Sequence, residues 1–290
     1  MRTIIINGNN VVANTLNDTY KYSFPNGAVN FSNDQIAVAS ISIYFSWFNI
    51  TSANTASRYN NNAYQYIWTD AGGSNTFNVV MPDGYYEVSD LNAFLQYTMV
   101  QNGHYLVDGS GDFVYYAEWV VNPTFYGVQL NCYPLPTALP GGWSNPAGVA
   151  FPLVASTPQI IILPTNNFGT VVGFAPGTYP PVVQATNYSA LSTVAPQITP
   201  INSIIMTCNL LNNVYANPNT LLYSFNPAGT RFGELISIQV PQFAFVDILD
   251  GQYTDFQIQF LDQNLNRIYI QDANIVVLLV IGKKEQYILK

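Results

Sequence analysis

From Tyr20 to Ile281 this sequence repeats one pattern: short runs rich in β-branched and aromatic residues, many with an apolar side chain at every second position, cut by Asn, Gly, Pro and Asp. A period of two is the mark of strands, because successive side chains leave a pleated backbone on opposite faces. Strands are expected over residues 20–24, 35–48, 77–81, 113–121, 125–133, 203–210, 221–225, 235–240, 256–261 and 274–281. In Phe256-Gln257-Ile258-Gln259-Phe260 the apolar residues share one face and the glutamines the other, as on a strand with one wet side. In residues 36–44, by contrast, Ile36, Val38, Ser40 and Ser42 oppose Ala37, Ala39, Ile41 and Ile43. Neither face is strongly polar, so a strand covered on both sides in the middle of a sandwich is expected.

One segment breaks the pattern with helical spacing. Ser89 reads as an N-cap, Asp90 lies in the first turn, and Leu91, Phe94, Leu95 and Thr98 or Met99 form a stripe stopped by Asn102-Gly103. Its apolar stripe is expected to cover a sheet. Residues 133–200 are rich in Pro and Gly and read as irregular connection with a few short strands. The fold class expected is all-β: a single jelly roll, a Greek-key antiparallel β-sandwich, with a long insertion and one short helix.

Charge narrows the function. Asp, Glu, Lys and Arg make up 8% of the 290 residues, against about 25% in an ordinary soluble domain. Amides and hydroxyls must solvate this surface, and they are far cheaper to bury against a partner than ions are. A net charge of −8 provides no basic footprint for a phosphate backbone, and residues 119–230 contain no Asp, Glu, Lys, Arg or His. No nucleic-acid partner is expected, except that the terminal Lys283, Lys284 and Lys290 could meet one. Cys132 and Cys208 each lie in an apolar run and read as buried free thiols. The start of the chain lacks the pattern of a secretory leader, and the longest apolar stretch, residues 275–281, falls far short of the ~20 residues that span a bilayer. A protein made in the cytoplasm, with no membrane span, is expected.

Catalysis needs groups that can titrate or be activated, and these are few. His104, the only histidine, follows the helix stop and has no nucleophile or base near it in sequence. Asp83, Glu87, Asp90, Asp108, Asp112 and Glu118 form the one acidic cluster. Asp108-Gly109-Ser110-Gly111-Asp112 has some likeness to a calcium loop but lacks its closing glutamate and third ligand. These aspartates are read as turn formers and caps, and Asn26-Gly27, Asp83-Gly84 and Asp250-Gly251 as hairpin turns. No catalytic, cofactor-binding or metal-ligating residue is assigned. A carbohydrate-binding module is the rival reading, with Trp47, Trp68, Trp119 and Trp143 available to stack on sugars.

Certain segments carry more than composition does. Phe45-Ser46-Trp47-Phe48-Asn49-Ile50, Tyr59-Asn60-Asn61-Asn62 and the run from Met81-Pro82-Asp83-Gly84-Tyr85-Tyr86 to Asn92 resemble the penton or minor capsid proteins of virophages and polinton-like viruses. So do Val172-Gly173-Phe174, Gly177-Thr178-Tyr179-Pro180, Pro196-Gln197-Ile198, Thr207-Cys208-Asn209-Leu210, Leu221-Leu222-Tyr223-Ser224-Phe225 and the stretch from Phe260 to Ile281. The resemblance implies a structural protein of the virion, not an enzyme. Five copies would plug each vertex of an icosahedral capsid built from double-jelly-roll major capsid proteins and other minor capsid proteins. It also implies a projecting insertion, expected here at residues 83–200, with residues 1–82 and 201–290 forming the jelly roll. The alternative is a jelly-roll carbohydrate- or receptor-binding module used for attachment.

Overall fold

The computed structural model describes residues 1–14, 16–53, 59–227 and 229–284. In chain order its elements are β1 (Arg2–Asn7), β2 (Thr19–Ser23), β3 (Val29–Phe31), β4 (Asp34–Tyr44), β5 (Ala63–Asp70), β6 (Gly73–Val80), α1 (Val88–Gln101), β7 (Leu106–Val107), β8 (Phe113–Val114), β9 (Ala117–Asn122), β10 (Gly127–Cys132), β11 (Gln159–Ile162), α2 (Phe168–Val172), β12 (Gly177–Tyr179), β13 (Tyr188–Leu191), β14 (Ile204–Cys208), β15 (Leu221–Phe225), β16 (Leu235–Gln239), β17 (Val246–Asp247), β18 (Gly251–Tyr253), β19 (Asp255–Asp262) and β20 (Ile275–Lys283). They divide into two compact units, Met1–Trp47 with Ile201–Lys290, and Phe48–Pro200.

The first unit is a jelly roll by its connectivity. One sheet runs β1-β20-β4-β16, with β17 beside β16 on the same edge of β4, and the other runs β15-β14-β19-β2. Every pairing in them is antiparallel: β1 with β20, β2 with β19, β4 with β16 and β14 with β15 nest inside one another, and the contacts β20–β4 and β19–β14 close the two sheets. That is a long ribbon of nested hairpins rolled into a sandwich. Alternation supplies the core: Phe256, Ile258 and Phe260 of β19 and Ile204 and Met206 of β14 are fully buried, and Gln257 stays exposed. Burying each such side chain stabilises by about 1.5–3 kcal/mol.

The mixed pattern of β4 has a different cause from the one expected. Leu278 of β20 lies opposite Ser40 but Leu279 lies opposite Val38, so Ala39 is the extra residue of a β-bulge. The parity of β4 flips there, and Ile36 and Val38 join Ile41 and Ile43, all at most 2% exposed, on the buried face. Only around Ala37 is the opposite face also buried.

The second unit is inserted between β4 and β14. It holds the sheets β12-β11-β5-β6 and β13-β10-β9 and the short ribbon β7–β8. The expected boundary after residue 82 is thus displaced to Trp47/Phe48, because β5 pairs with β6 and β11, inside this unit. Its core is aromatic: Tyr64 and Phe168 stack with ring centroids 4.3 Å apart, and Trp119 Nε1 donates to the Tyr64 hydroxyl at 3.4 Å. Val88, Leu91, Leu95 and Met99 of α1 are buried against it. The helix starts before Ser89. Glu87 is the N-cap, and Asp90 Oδ2 accepts the Glu87 N–H at 2.8 Å. The expected strand over residues 113–121 is broken at Tyr115-Tyr116 into β8 and β9. A second helix, α2, appears where irregular connection was expected. It ends at Gly173 with φ 77°, and a Cβ there would lie 2.3 Å from Val194 O, so both backbone hand and space require glycine.

Asparagines from residues 49–62 meet the segment 81–86 within this unit. Asn49 is 2% exposed; its Nδ2 donates to Tyr86 O and Ile198 O, both at 2.7 Å, and its Oδ1 accepts from Tyr86 N at 2.8 Å. Asn61 accepts from Thr51 N at 2.8 Å and donates to Asn49 O at 2.8 Å, and Asn62 Nδ2 donates to Met81 O at 2.9 Å. Gly84, expected in a hairpin turn, instead exchanges backbone hydrogen bonds with Ile50 at 3.0 Å each way. Buried amides that complete their bonding in this way pin irregular backbone that no sheet can hold. Asn49→Ala removes these bonds and leaves three part-buried backbone groups without their side-chain partner; a loss of about 2 kcal/mol is expected, read as a lowered melting temperature and faster proteolysis within residues 48–200.

Candidate functional site

The carboxylates of the acidic cluster serve turns, a helix cap and sheet contacts. Asp108 Oδ1 accepts from Ser110 N at 2.8 Å and Asp112 N at 3.0 Å, an ordinary turn between β7 and β8. Asp83 Oδ1 accepts from Ser52 N at 2.7 Å, and Glu118, on the β9-β10-β13 sheet, accepts from the hydroxyl of neighbouring Tyr133. Among the described residues no group of His, Cys, Asp and Glu is arranged to hold a metal ion. The thiols of Cys132 and Cys208 are buried, and burial pushes both up to about 12. Trp47, Trp68 and Trp119 are at most 4% exposed and present no open stacking face, and Trp143 is partly buried against the core of the second unit.

His104 is a packing residue. Its ring stacks on Trp68, with centroids 4.4 Å apart and planes 8° from parallel, and meets the edge of Phe77. Tyr66 Oη lies 2.8 Å from Nδ1 and also accepts from Asn102 Nδ2 at 3.2 Å, which directs the Tyr66 proton to the imidazole. Burial holds the His104 pKa down at about 4, with Asp70 acting weakly the other way. The folded value lies below that of an unfolded histidine. The neutral ring's contribution to stability is therefore complete above about pH 6.5 and is lost as the pH falls toward 4. The chain has one histidine, so its single imidazole NMR resonance is expected to titrate near pH 4, with His104→Phe flattening the melting temperature between about pH 6.5 and 5.

What stands out instead is a surface. The outer face of the β1-β20-β4-β16 sheet carries the cross-strand rows Ile5–Leu278–Ser40–Gln239, Asn7–Val276–Ser42–Ser237 and Tyr44–Leu235. None of these residues is charged. Ile5 is 54% exposed, Val276 and Leu235 47%, and Tyr44 38%. A depression of about 420 Å³ lies at one end, bordered by Gly8, Asn9 and Asn274 with Tyr44, Leu235 and Val276. Apolar side chains interleaved with hydroxyls, and no ion to desolvate, make a face that a partner can cover at low cost. The all-apolar run Ile275 to Leu279 is the sequence signal for it: β20 has no polar side to turn outward.

Cations outside this patch are held in ion pairs. Arg267 makes a bidentate pair with fully buried Asp18, Nε to Oδ2 and Nη2 to Oδ1, both at 2.7 Å. Lys283 Nζ lies 2.8 Å from Asp34 Oδ2 and Lys284 Nζ 2.7 Å from Asp247 Oδ2, while Lys21 pairs with Asp255 at 3.3 Å. The two lysines considered for contact with a genome are thus tied to aspartates of their own unit; Lys290 lies outside the described residues.

Connectivity and surface together define a single jelly roll with a large insertion and an uncharged patch on one outer sheet face, an architecture shared by viral capsid and lectin domains. The chain is similar in structure to the mavirus penton protein, at 11% identity and a TM-score of 0.44 over 98% of each chain. It is also similar to a chain of the Sputnik virophage, at 12% identity and a TM-score of 0.35 over 98% of each. No family model and no curated protein matches it. Val276→Glu is expected to leave the melting temperature of the isolated chain almost unchanged, within about 0.5 kcal/mol as for other exposed positions. It is expected to weaken any self-association at least about tenfold, which sedimentation across a concentration series measures.

Proposed function

We propose that this chain is a structural capsid protein of a virion: a penton whose homopentamers close the five-fold vertices of an icosahedral shell. Its neighbours there are a double-jelly-roll major capsid protein and other minor capsid proteins. The observation that carries this reading is the uncharged, half-apolar patch on the outer face of a jelly-roll sheet, on a chain whose described lysines are all paired within their own unit. A ring needs heterologous contacts, one patch of each copy against a different patch of the next, and closure depends on shape. Surfaces of hydroxyls, amides and aliphatic groups suit such contacts because nothing charged has to be stripped of water. The role is structural: the only histidine is locked in an aromatic stack, and both thiols are buried. Projection of residues 48–200 from the particle belongs to the same proposal.

Native mass spectrometry of the 32.1 kDa chain is expected to give a species of five times that mass, and co-expression with its major capsid protein is expected to place it in shells. A strictly monomeric protein at high concentration that also stays out of those shells would overturn the reading.

A further inference from the structure

The outer face of the β9-β10-β13 sheet carries a chain of polar side chains that hold one another in place. Glu118 Oε1 accepts from the Tyr133 hydroxyl at 2.7 Å and from Asn131 Nδ2 at 3.0 Å. Asn131 Oδ1 in turn accepts from Ser189 Oγ and from Gln129 Nε2, both at 2.9 Å. Gln129 Nε2 also donates to Ser189 Oγ at 2.9 Å, and Gln129 Oε1 accepts from Asn122 Nδ2 at 3.0 Å. The register explains the continuity, since Glu118, Asn131 and Ser189 form one row across the three strands, with Gln129 in the next. The opposite face of the same strands, with Trp119, Leu130 and Cys132, makes the core, so burial does not require this network.

Two properties point to a ligand. The network fixes its own amide orientations, which lowers the rotamer entropy lost on binding, and Glu118 Oε2 has no partner among the described residues. Beside Asn122, at the end of the network, the turn Pro123–Tyr126 exposes Phe125 by 67% and Tyr126 by 78%. Tyr126 sits at φ 49°, a left-handed conformation that is an outlier for a bulky residue. The left-handed residue closes the hairpin between β9 and β10 and leaves both rings at its tip.

Fixed amides and a carboxylate bond to neighbouring hydroxyls, and an exposed aromatic ring stacks on the C–H face of a pyranose. Charge narrows the class. Within residues 48–200 the only Lys or Arg is Arg58, and Glu118 is the one charge on this face, so a sialylated, sulfated or phosphorylated glycan would meet a carboxylate and no counter-ion. We propose that the outer face of the β9-β10-β13 sheet, with the Phe125-Tyr126 turn at its end, binds a neutral oligosaccharide. This goes beyond the capsid reading and does not depend on it.

The test is a glycan array probed with the full-length chain. It should carry mannose-, galactose-, N-acetylglucosamine- and fucose-terminated oligosaccharides beside sialylated and sulfated ones, with affinities then measured by calorimetry. Signal is expected on neutral glycans, falling at least about tenfold in Gln129→Ala/Asn131→Ala and in Tyr126→Gly. Tyr126→Gly removes the ring at a position whose backbone suits glycine, so that variant folds at least as well as the parent. A blank array, signal confined to sialylated or sulfated glycans, or neutral binding that survives both variants would each overturn the proposal. The mass of the assembled species, measured on the same samples, reports separately on the pentamer.

Discussion

The bond network of Asn49 is the constraint on which the insertion depends. Any long excursion between two strands has to bring its ends back together, and the entropic cost of doing so grows with length, although slowly. Within residues 48–200 the closure is made by one side-chain amide that binds residues 86 and 198 at once, while Asn61 fastens Asn49 from behind. An amide suits this position because it offers two donors and an acceptor without a charge to bury. A carboxylate would supply acceptors where carbonyl oxygens need donors, and an aliphatic residue would supply neither. Several of the segments resembling virophage pentons contribute to this junction or, like Val172-Gly173-Phe174, to a close backbone approach elsewhere in the same unit. Their specificity therefore lies in backbone geometry.

Charge scarcity works in two directions here. Arg267 and the described lysines of the jelly roll are placed against aspartates, one of them fully buried, and the one such pair on the outer sheet face, Lys284 with Asp247, lies at the end of β4 away from the apolar rows. The second unit solves the same problem with amides and hydroxyls, which bond to one another along the β9-β10-β13 sheet instead of attracting counter-ions. Surfaces of both kinds can be covered without the desolvation penalty of charged groups. Their selectivity then comes from shape and from the direction of hydrogen bonds.

Much of the fold was legible because alternation survives wherever a strand has one wet face. β19 reads correctly from Phe256, Ile258 and Phe260 alone, and α1 from its stripe and its stop. Boundaries failed where tertiary contacts replace local signals. The bulge at Ala39 shifts the parity of β4, and a shift of one residue moves every following side chain to the other face, so the local pattern imitates a strand covered on both sides. The strand expected over residues 77–81 belongs to β6 of the insertion, because strand character does not say which sheet a strand joins, and β5 is not among the expected strands. α2 is five residues long, too short for a periodic stripe to show.

The sequence by itself determined the class of fold, the single amphipathic helix, the poverty of charge and the absence of a motif for metal or nucleophilic chemistry, since all of these follow from composition and local periodicity. Only the tertiary structure decided that the strands nest as a jelly roll, that the insertion begins at Phe48, and that His104 lies in an aromatic stack. It alone brought Ile5, Tyr44, Leu235 and Val276 onto one face and Glu118, Gln129, Asn131 and Ser189 onto another. The reason is physical: pairing partners in a sheet are chosen by hydrogen-bond register and buried area over long sequence separations, and neither is encoded in any one segment.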